Sequence, residues 1–394
     1  MFDTLLLSCD TSARPNPDLG TNPRLGIPFE GNSRKKGDQM SDAVLVTGAF
    51  GLVGTATVTH LVKQGRYVVA TDLNTPSNRA AAAVLPPEAR VHWADLTDPT
   101  QVEELFGAVV PASVIHLAAV IPPACYSAPA RARAVNVGST TNLVNIAAAQ
   151  PHPPRFVQAS SIAVYGPRNP YRLGDLLTAE TPVRPYDVYG GHKVEAETIV
   201  RNAARDWVIL RLGGVLTVDV GLGIDPDMLY FESLLPADGR LQTVDVRDAA
   251  HAFAAATTAD VTGRTLLIGG DDSHRQRQGD IASSTAAALG LAGGVPPGRP
   301  GNPDDDDAWF ATDWMDSVTA QLLLGHQHHS WPDMLAETAD RAGWKRCPLR
   351  IVAPLARRFL ERRAAYHGRP DRYADPWEAI RRKWGEPEAD RSAA

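Results

Sequence analysis

The sequence predicts an α/β protein, a doubly wound parallel sheet with helices on both faces, followed by a smaller C-terminal lobe. Three observations predict it. Short apolar runs alternate with helical stretches from Ser41 onward, a glycine-rich turn joins the first run to the first helix, and an acid ends the second run.

The elements follow in order. "AVLVTG" is a continuous apolar run suited to a strand buried on both faces. "LVGTATVTHLVKQG" reads as a helix stopped at Gly65. "YVVATD" and "VHWADL" are the second and third strands, "PTQVEELFGAVV" is helical, and "SVIHLAA" is the fourth strand. A longer helix falls within 130–149, "FVQASS" is the fifth strand, a helix runs from about Tyr186 to Arg205, and "WVILRLG" is the sixth strand. Such alternation implies right-handed crossovers.

Four segments result. Residues 1–40 form a Pro- and polar-rich leader without strand or helical period, expected to be disordered, with Met40 as an alternative start. Residues 41–214 form the main domain. Residues 215–349 form a lobe over the carboxyl edge of the sheet, with returns of the chain to that sheet; it holds one more strand-like run, "TLLIGG". Residues 350–394 form an Arg-rich tail. Its "APLARRFLERRAAY" places Leu355, Phe359 and Leu360 on one side, a packing or dimer helix with an apolar face too small for a membrane surface.

The 394 residues allow a sizeable core, and a composition 44% hydrophobic and 21% charged is that of a globular protein. A net charge of -6 offers no basic face for nucleic acid. Cys9, Cys125 and Cys347 fit neither metal spacing nor a disulfide framework, which points to a reducing compartment. No apolar run reaches a membrane span, and "LLSC" near the start lacks the basic residue and apolar length of a signal peptide. The expectation is a cytoplasmic protein with a small-molecule substrate and neither a nucleic-acid nor a membrane partner. "DDDD" at 304–307 and "HQHH" at 326–329 match no defined metal geometry, so no metal is expected.

"VTGAFGLVG" carries Gly48, Gly51 and Gly54 in G-x-x-G-x-x-G spacing between strand and helix. Glycines there let the backbone turn sharply and approach a pyrophosphate, whose charge sits at the helix N-terminus, as in a Rossmann-type domain. Asp72 follows Gly54 by 18 residues, at the tip of the second strand. An acid there accepts hydrogen bonds from ribose hydroxyls and repels a 2′-phosphate, favouring NAD over NADP, although Arg79 is the nearest base downstream.

Here the chain resembles the extended short-chain dehydrogenase/reductases, the NAD-dependent epimerase/dehydratase family. The resemblance covers about 43–330, with its motifs in order. "ADL" at 94–96 resembles the turn whose Asp95 and Leu96 would contact adenine. "HLAA" at 116–119 resembles the strand end along the cofactor, "VNVGSTTNLV" the next helix with Asn136 in place, and "VRDAA" at 246–250 a later helix start. "SSIAVYG", "YGGHK" and "RLGGV" resemble the catalytic segments and the strand end beneath the nicotinamide. The implied cofactor contacts are Gly48, Phe50, Gly51, Leu52, Val53, Gly54, Asp72, Asp95, Leu96, Leu117, Ala118, Ala119, Asn136, Ala159, Tyr189, Lys193, Leu212, Gly213 and Gly214.

Tyr189 and Lys193 lie one helical turn apart, hence on one face. A free tyrosine, with a pKa near ~10, is too weakly acidic to act as a base at neutral pH. A nearby ammonium and the positive nicotinamide favour its phenolate. Tyr189 then exchanges a proton with a substrate hydroxyl while hydride passes between the same carbon and the cofactor. The resemblance implies that Ser161 holds the substrate oxygen and Lys193 the nicotinamide ribose. Ser161 is preferred to Ser160 because the family places its hydroxyl four residues before the tyrosine corresponding to Tyr165, itself a packing residue.

Three departures from the family matter. His192 replaces a small hydroxyl residue, either lining the site or standing as a partly exposed structural histidine. Ile162 and Ala163 stand where dehydratases carry an acid pair, which disfavours dehydration. "LGGVLT" lacks the asparagine that holds a substrate diphosphate, which counts against a standard nucleotide-sugar substrate. An epimerase and a net dehydrogenase use the same trio and stay unresolved; the rival class is a non-catalytic nucleotide sensor, against which the Tyr/Lys pair speaks. The family also implies a homodimer through helices within 99–149 and the Tyr189 helix, where Val194, Ala196, Ile199, Val200 and Ala203 exceed one core-facing stripe. The alternative is a monomer whose tail covers that face.

Overall fold

The computed structural model describes residues 42–219 and 225–387, and the leader lies outside them. Seven parallel strands run in the order β3-β2-β1-β4-β5-β6-β9. They are β1 Val44–Thr47, β2 Val68–Asp72, β3 Arg90–Trp93, β4 Ser113–His116, β5 Arg155–Ser161, β6 Trp207–Leu212 and β9 Arg264–Ile268. The order reverses between β1 and β4, which opens a crevice at their carboxyl ends.

Both faces of the sheet are covered, and that is why its strands read as unbroken apolar runs. Val44, Val46 and Ile115 face α1 (Leu52–Lys63) and α9 (Val246–Ala256) in one core with Val58, Leu61 and Phe253. Leu45, Val114 and Ile209 face α3 (Pro99–Val109), α6 (Ser139–Ala148) and α7 (Val188–Ala203) in a second core with Phe106, Leu143 and Val200. Local chemistry sets the helix starts. Asp98 accepts from Thr100 N ahead of Pro99, and Thr75 accepts from Asn78 N ahead of α2 (Pro76–Ala82).

The expected helix within 130–149 is α5 (Pro129–Arg133) and α6 joined by a π-helical turn, Ala134–Gly138, just after α4 (Ala124–Ser127). The run "TLLIGG" supplies β9, the seventh strand of the main sheet, and α9 packs beside α1 on that sheet. The chain therefore leaves the sheet after β6, returns through α9 and β9, and leaves again.

The lobe holds a second sheet, β10-β8-β7, from β7 (Gly214–Leu216), β8 (Arg240–Asp245) and β10 (Arg275–Arg277). With it come α8 (Pro226–Leu234), α10 (Gln278–Ala288), α11 (Val318–Leu324) and α12 (Trp331–Ala342). Its core joins Leu216, Leu241, Met315 and Met334 to Ile162, Val164 and Tyr165, so the turn after β5 is clamped beneath the lobe.

The tail forms α13 (Arg346–Arg363) and α14 (Pro376–Trp384). Trp377, Ala379 and Ile380 are buried with Tyr126, Phe231 and Leu234. It meets α7 at the helix start, where Val188 N donates to Pro387 O at 2.8 Å. The outer face of α7 is less apolar than the sequence suggests: Ala196 and Val200 are buried, Val194 packs on the lobe core, and Ile199 and Ala203 pack on the sheet core.

Candidate active site

The crevice is built around backbone contacts. Gly48 has φ +62, and a Cβ on it would lie 2.6 Å from Ala118 N. A Cβ on Gly54 would overlap Gly48 O, so β1, α1 and the end of β4 meet as closely as backbone allows. Gly51 caps α1 without a side-chain acceptor, and no acid stands in its first turn. The positive end of α1 is thus left to an anion, as a pyrophosphate requires.

Asp72 ends β2 beside this loop. Its Oδ1 accepts from Leu73 N at 2.7 Å, and burial raises its pKa against hydrogen bonds from Leu73, Phe50 and Asn78. Phe50 packs on Trp93 at 5.1 Å and so ties the loop to β3. Leu96 is buried, while Asp95 accepts from Thr97 N and Thr97 Oγ1, shaping its own turn. Leu117 N and Ala118 N reach Thr47 Oγ1, which is hydrogen-bonded to His116 Nδ1 at 2.7 Å. His116 Nε2 meets Thr140 Oγ1, and burial pushes its pKa to about 3, so it is a neutral bracket between strands and helix. Asn136, at the π turn, spends its amide on Val120: Val120 N donates to Oδ1 at 2.7 Å and Nδ2 donates to Val120 O at 2.9 Å. It braces the segment after β4.

Ser160 and Ser161 project to opposite faces of β5. Ser160 is buried and donates to Glu197 Oε1 at 2.6 Å. Arg211 holds both oxygens of Glu197 and donates to Tyr165 OH at 2.7 Å, and Tyr165 donates to Thr178 O. Burial alone would raise the Glu197 pKa, but the bonds from Arg211 and Ser160 hold it below the ordinary value. Ser161 is half-buried, and its Oγ accepts from Ala163 N at 3.1 Å, capping the turn Ile162–Tyr165.

The first turn of α7 packs on that same turn, since a Cβ on Gly190 would lie 2.6 Å from Ala163 O. Asp187 caps α7, accepting from Gly190 N at 2.9 Å and from Tyr126 OH at 2.5 Å; its burial raises its pKa. Val188 N donates to Pro387 O at 2.8 Å, and Tyr186 packs on Trp377 at 4.7 Å. Tyr189 is half-buried against the cluster containing Tyr126 and Trp377. Lys193 is 4% exposed, with Nζ 5.7 Å from the Tyr189 ring centroid and donating to Ala159 O at 2.9 Å. Desolvation lowers its pKa to about 8, opposed by the charge of Glu197. The arrangement couples a phenol to a buried ammonium at the mouth of the crevice.

The structure thus gathers the glycine loop, Asp72, Ala118, Ala159, Tyr189 and Lys193 around the carboxyl ends of β1, β2, β4 and β5, and Leu212, Gly213 and Gly214 stand where β6 passes into β7. His192 is buried rather than partly exposed; burial lowers its pKa and Arg133 and Glu195 are its charged neighbours. Sequence reading missed Tyr126, Asp187, Glu197 and Arg211. Asp187 carried a signal, an acid just before a helix; the others are joined only by the fold. The acidic run and the histidines are engaged elsewhere: Asp306 by Asn169 and Arg172, His329 by Asp248. Among the described residues no cluster could hold a metal ion, and no helix is long and apolar enough to cross a membrane.

A glycine-lined crevice, an acid at the second strand tip and a Tyr/Lys helix define a dinucleotide-binding α/β protein. Residues 44–218 match the model of the NAD dependent epimerase/dehydratase family. It is similar to UDP-glucose 4-epimerase 4 of Oryza sativa subsp. japonica, 33% identical over 190 residues, 44% of this chain and 48% of that one. It is also similar to dTDP-glucose 4,6-dehydratase of Neisseria gonorrhoeae, 29% identical over 273 residues, 62% of this chain and 77% of that one. The chain spans about half the length of the rice relative and of two others. Among solved structures it resembles the Thermus thermophilus UDP-glucose 4-epimerase in complex with NAD, with a TM-score of 0.61, 23% identity and coverage of 76% of this chain and 98% of that one. At that identity the likeness is one of fold.

Proposed function

We propose that the protein is an NAD-dependent enzyme that oxidises and reduces a secondary alcohol or ketone carbon of a sugar-like substrate, with Tyr189 as its acid/base. The observation that carries this reading is the buried Lys193 ammonium 5.7 Å from the Tyr189 ring, on one helix face beside the end of β5. A positive charge there favours the phenolate, which accepts the substrate hydroxyl proton. Ser161, free of the Glu197 network that occupies Ser160, holds the substrate oxygen. NAD, when bound, supplies the hydride acceptor. Gly48, Gly51 and Gly54 with the start of α1 cradle its pyrophosphate, and Asp72 holds the ribose hydroxyls, favouring NAD over NADP.

Ile162 and Ala163 are buried apolar residues at the turn after Ser161, so no acid is offered for dehydration. This favours epimerisation or net oxidation over the chemistry named for the Neisseria relative. The named relatives act on nucleotide sugars, which makes such sugars the first substrates to try. Unpaired Cys125 and Cys347 support a cytoplasmic setting. Pairing of two copies through α3, α6 and α7 rests on the family resemblance, and sedimentation equilibrium tests it.

The test is Tyr189→Phe, assayed on UDP- and dTDP-sugars and on simple secondary alcohols. Turnover falls by orders of magnitude while NAD affinity by titration stays within about two-fold. Near-normal turnover in the variant, or a wild-type protein that binds no NAD, overturns the reading. NAD retained through purification marks an epimerase, and an empty protein a net dehydrogenase.

A further inference from the structure

Helix α13 has two apolar sides. Its Ala353 is buried against the body, and Leu349, Ala356 and Leu360 are half-buried. On the opposite side, among the described residues, Ile351 is 80% exposed, Leu355 64% and Phe359 38%, with Trp344 at 77% just before the helix; the Arg363 guanidinium lies over the Phe359 ring at 4.2 Å. The sequence alone groups Leu355, Phe359 and Leu360, but the fold turns Leu360 inward and brings out Ile351 and Trp344, making the exposed stripe longer.

The flanks of this stripe are basic at Lys345, Arg350, Arg357 and Arg363, and Arg358 and Arg362 stand within it, seven residues after Ile351 and Leu355. Lys345, Arg346, Arg350, Arg357, Arg358, Arg362 and Arg363 are all exposed, and Glu361, paired to Arg357, is the sole acid from 345 to 363. This concentration stands out in a chain of net charge -6. A second copy laid on the stripe helix to helix would set arginine against arginine. Nucleic acid would meet the arginines but would leave Ile351 and Leu355, the most exposed aliphatic residues of α13, in water or against phosphate. A surface that is anionic outside and apolar just beneath satisfies both halves of the helix.

We propose that α13 is a peripheral docking helix for anionic lipid bilayers, lying flat with Trp344, Ile351, Leu355 and Phe359 in the headgroup boundary and its arginines on lipid phosphates. At 1.5 Å per residue the stripe from Trp344 to Phe359 spans roughly 22 Å. The reading does not depend on the catalytic one, because its measurement involves neither NAD nor turnover.

The experiment is co-sedimentation of the full chain with vesicles of phosphatidylcholine alone or with about one-third phosphatidylglycerol. The protein pellets with the anionic vesicles, at least ten-fold more tightly than with the neutral ones, and is released in about 0.5 M salt. Since each basic side chain at such a surface contributes roughly a five-fold gain, Arg350→Gln with Arg358→Gln and Arg362→Gln weakens binding roughly a hundred-fold. Ile351→Glu with Leu355→Glu abolishes it, with the melting temperature unchanged because both side chains are already in water. Equal binding to both vesicle types, or an Ile351→Glu/Leu355→Glu variant that pellets like wild type, overturns the proposal. A dimer that this variant dissociates makes a second copy the occupant, and tight, salt-sensitive binding to duplex DNA without vesicle binding makes it nucleic acid; either result refutes the proposal.

Discussion

Replacing Lys193 with methionine should stabilise the protein at neutral pH while abolishing its chemistry. The lysine is 4% exposed, and desolvation lowers its pKa from 10.5 to about 8. A depression of about 2.5 pKa units corresponds to roughly 3 kcal/mol against folding while the group is charged. Below pH about 8 both folded and unfolded chains carry the proton, and the folded chain bears the whole penalty. As pH rises from there the folded lysine loses its proton first, and stability climbs by about 1.4 kcal/mol per pH unit. The climb ends near ~10.4, where the unfolded lysine titrates. Methionine has a similar length, and Ala159 O keeps a donor because Gln158 Nε2 also reaches it at 2.9 Å. Urea unfolding at a series of pH values should therefore show Lys193→Met about 3 kcal/mol more stable than wild type at pH about 7. The gap should close by pH about 10.5, with NAD-linked turnover lost throughout. A gap that does not change with pH, or a variant less stable than wild type at neutral pH, would falsify the buried-ammonium argument.

Three further outcomes follow from named contacts. Asp72→Ala weakens NAD binding about ten- to hundred-fold, by loss of hydrogen bonds to a charged acceptor, and narrows the gap to NADP; comparative titration of both nucleotides reads it, and a wild type preferring NADP contradicts it. Ser161→Ala lowers turnover by about a hundred-fold or more with little change in stability, whereas Ser160→Ala removes a donor to Glu197, lowers unfolding free energy by about 1 kcal/mol and spares turnover. The reverse pattern would exchange the two serines' roles. Trp377→Ala, opening a cavity among Tyr186, Phe310 and Ile380, costs about 3–5 kcal/mol in urea unfolding, and a loss below about 1 kcal/mol would mean that α14 is only loosely attached.

The parts legible in the sequence were those whose physics is local. A strand buried on both faces reads as an unbroken apolar run, as "AVLV" does, and a glycine turn against a pyrophosphate needs its glycines at fixed places. The Tyr189/Lys193 spacing is one helical turn and visible without a fold. Pairings across long separations were not legible. Nothing near Arg264 says that β9 will lie beside β6, because either sheet could have taken it. Glu197 reads as one more acid on an amphipathic helix, and only the fold brings Arg211 and Ser160 to it. In the tail the sequence analysis singled out Leu355, Phe359 and Leu360 of a packing helix, whereas the more deeply buried stripe is the later one, in which Trp377, Ile380 and Trp384 recur at helical spacing.

The same contacts explain how Tyr189 holds its position at the mouth of an open crevice. The first turn of a helix has amides without intrahelical partners, and in α7 these are satisfied from several directions. Val188 N goes to Pro387 O from the tail, and Gly190 N goes to Asp187, itself fixed by Tyr126 from α4. Gly190 rests on the turn that begins at Ser161, and that turn is clamped by the lobe. One turn further on, Lys193 is locked to Ala159 at the end of β5. The Tyr189/Lys193 face is thus tied to the sheet, the lobe and the tail together. A buried charge that destabilises the fold is tolerable there, because the elements around it are each anchored by cores of their own. Tail and lobe both contribute to holding Tyr189.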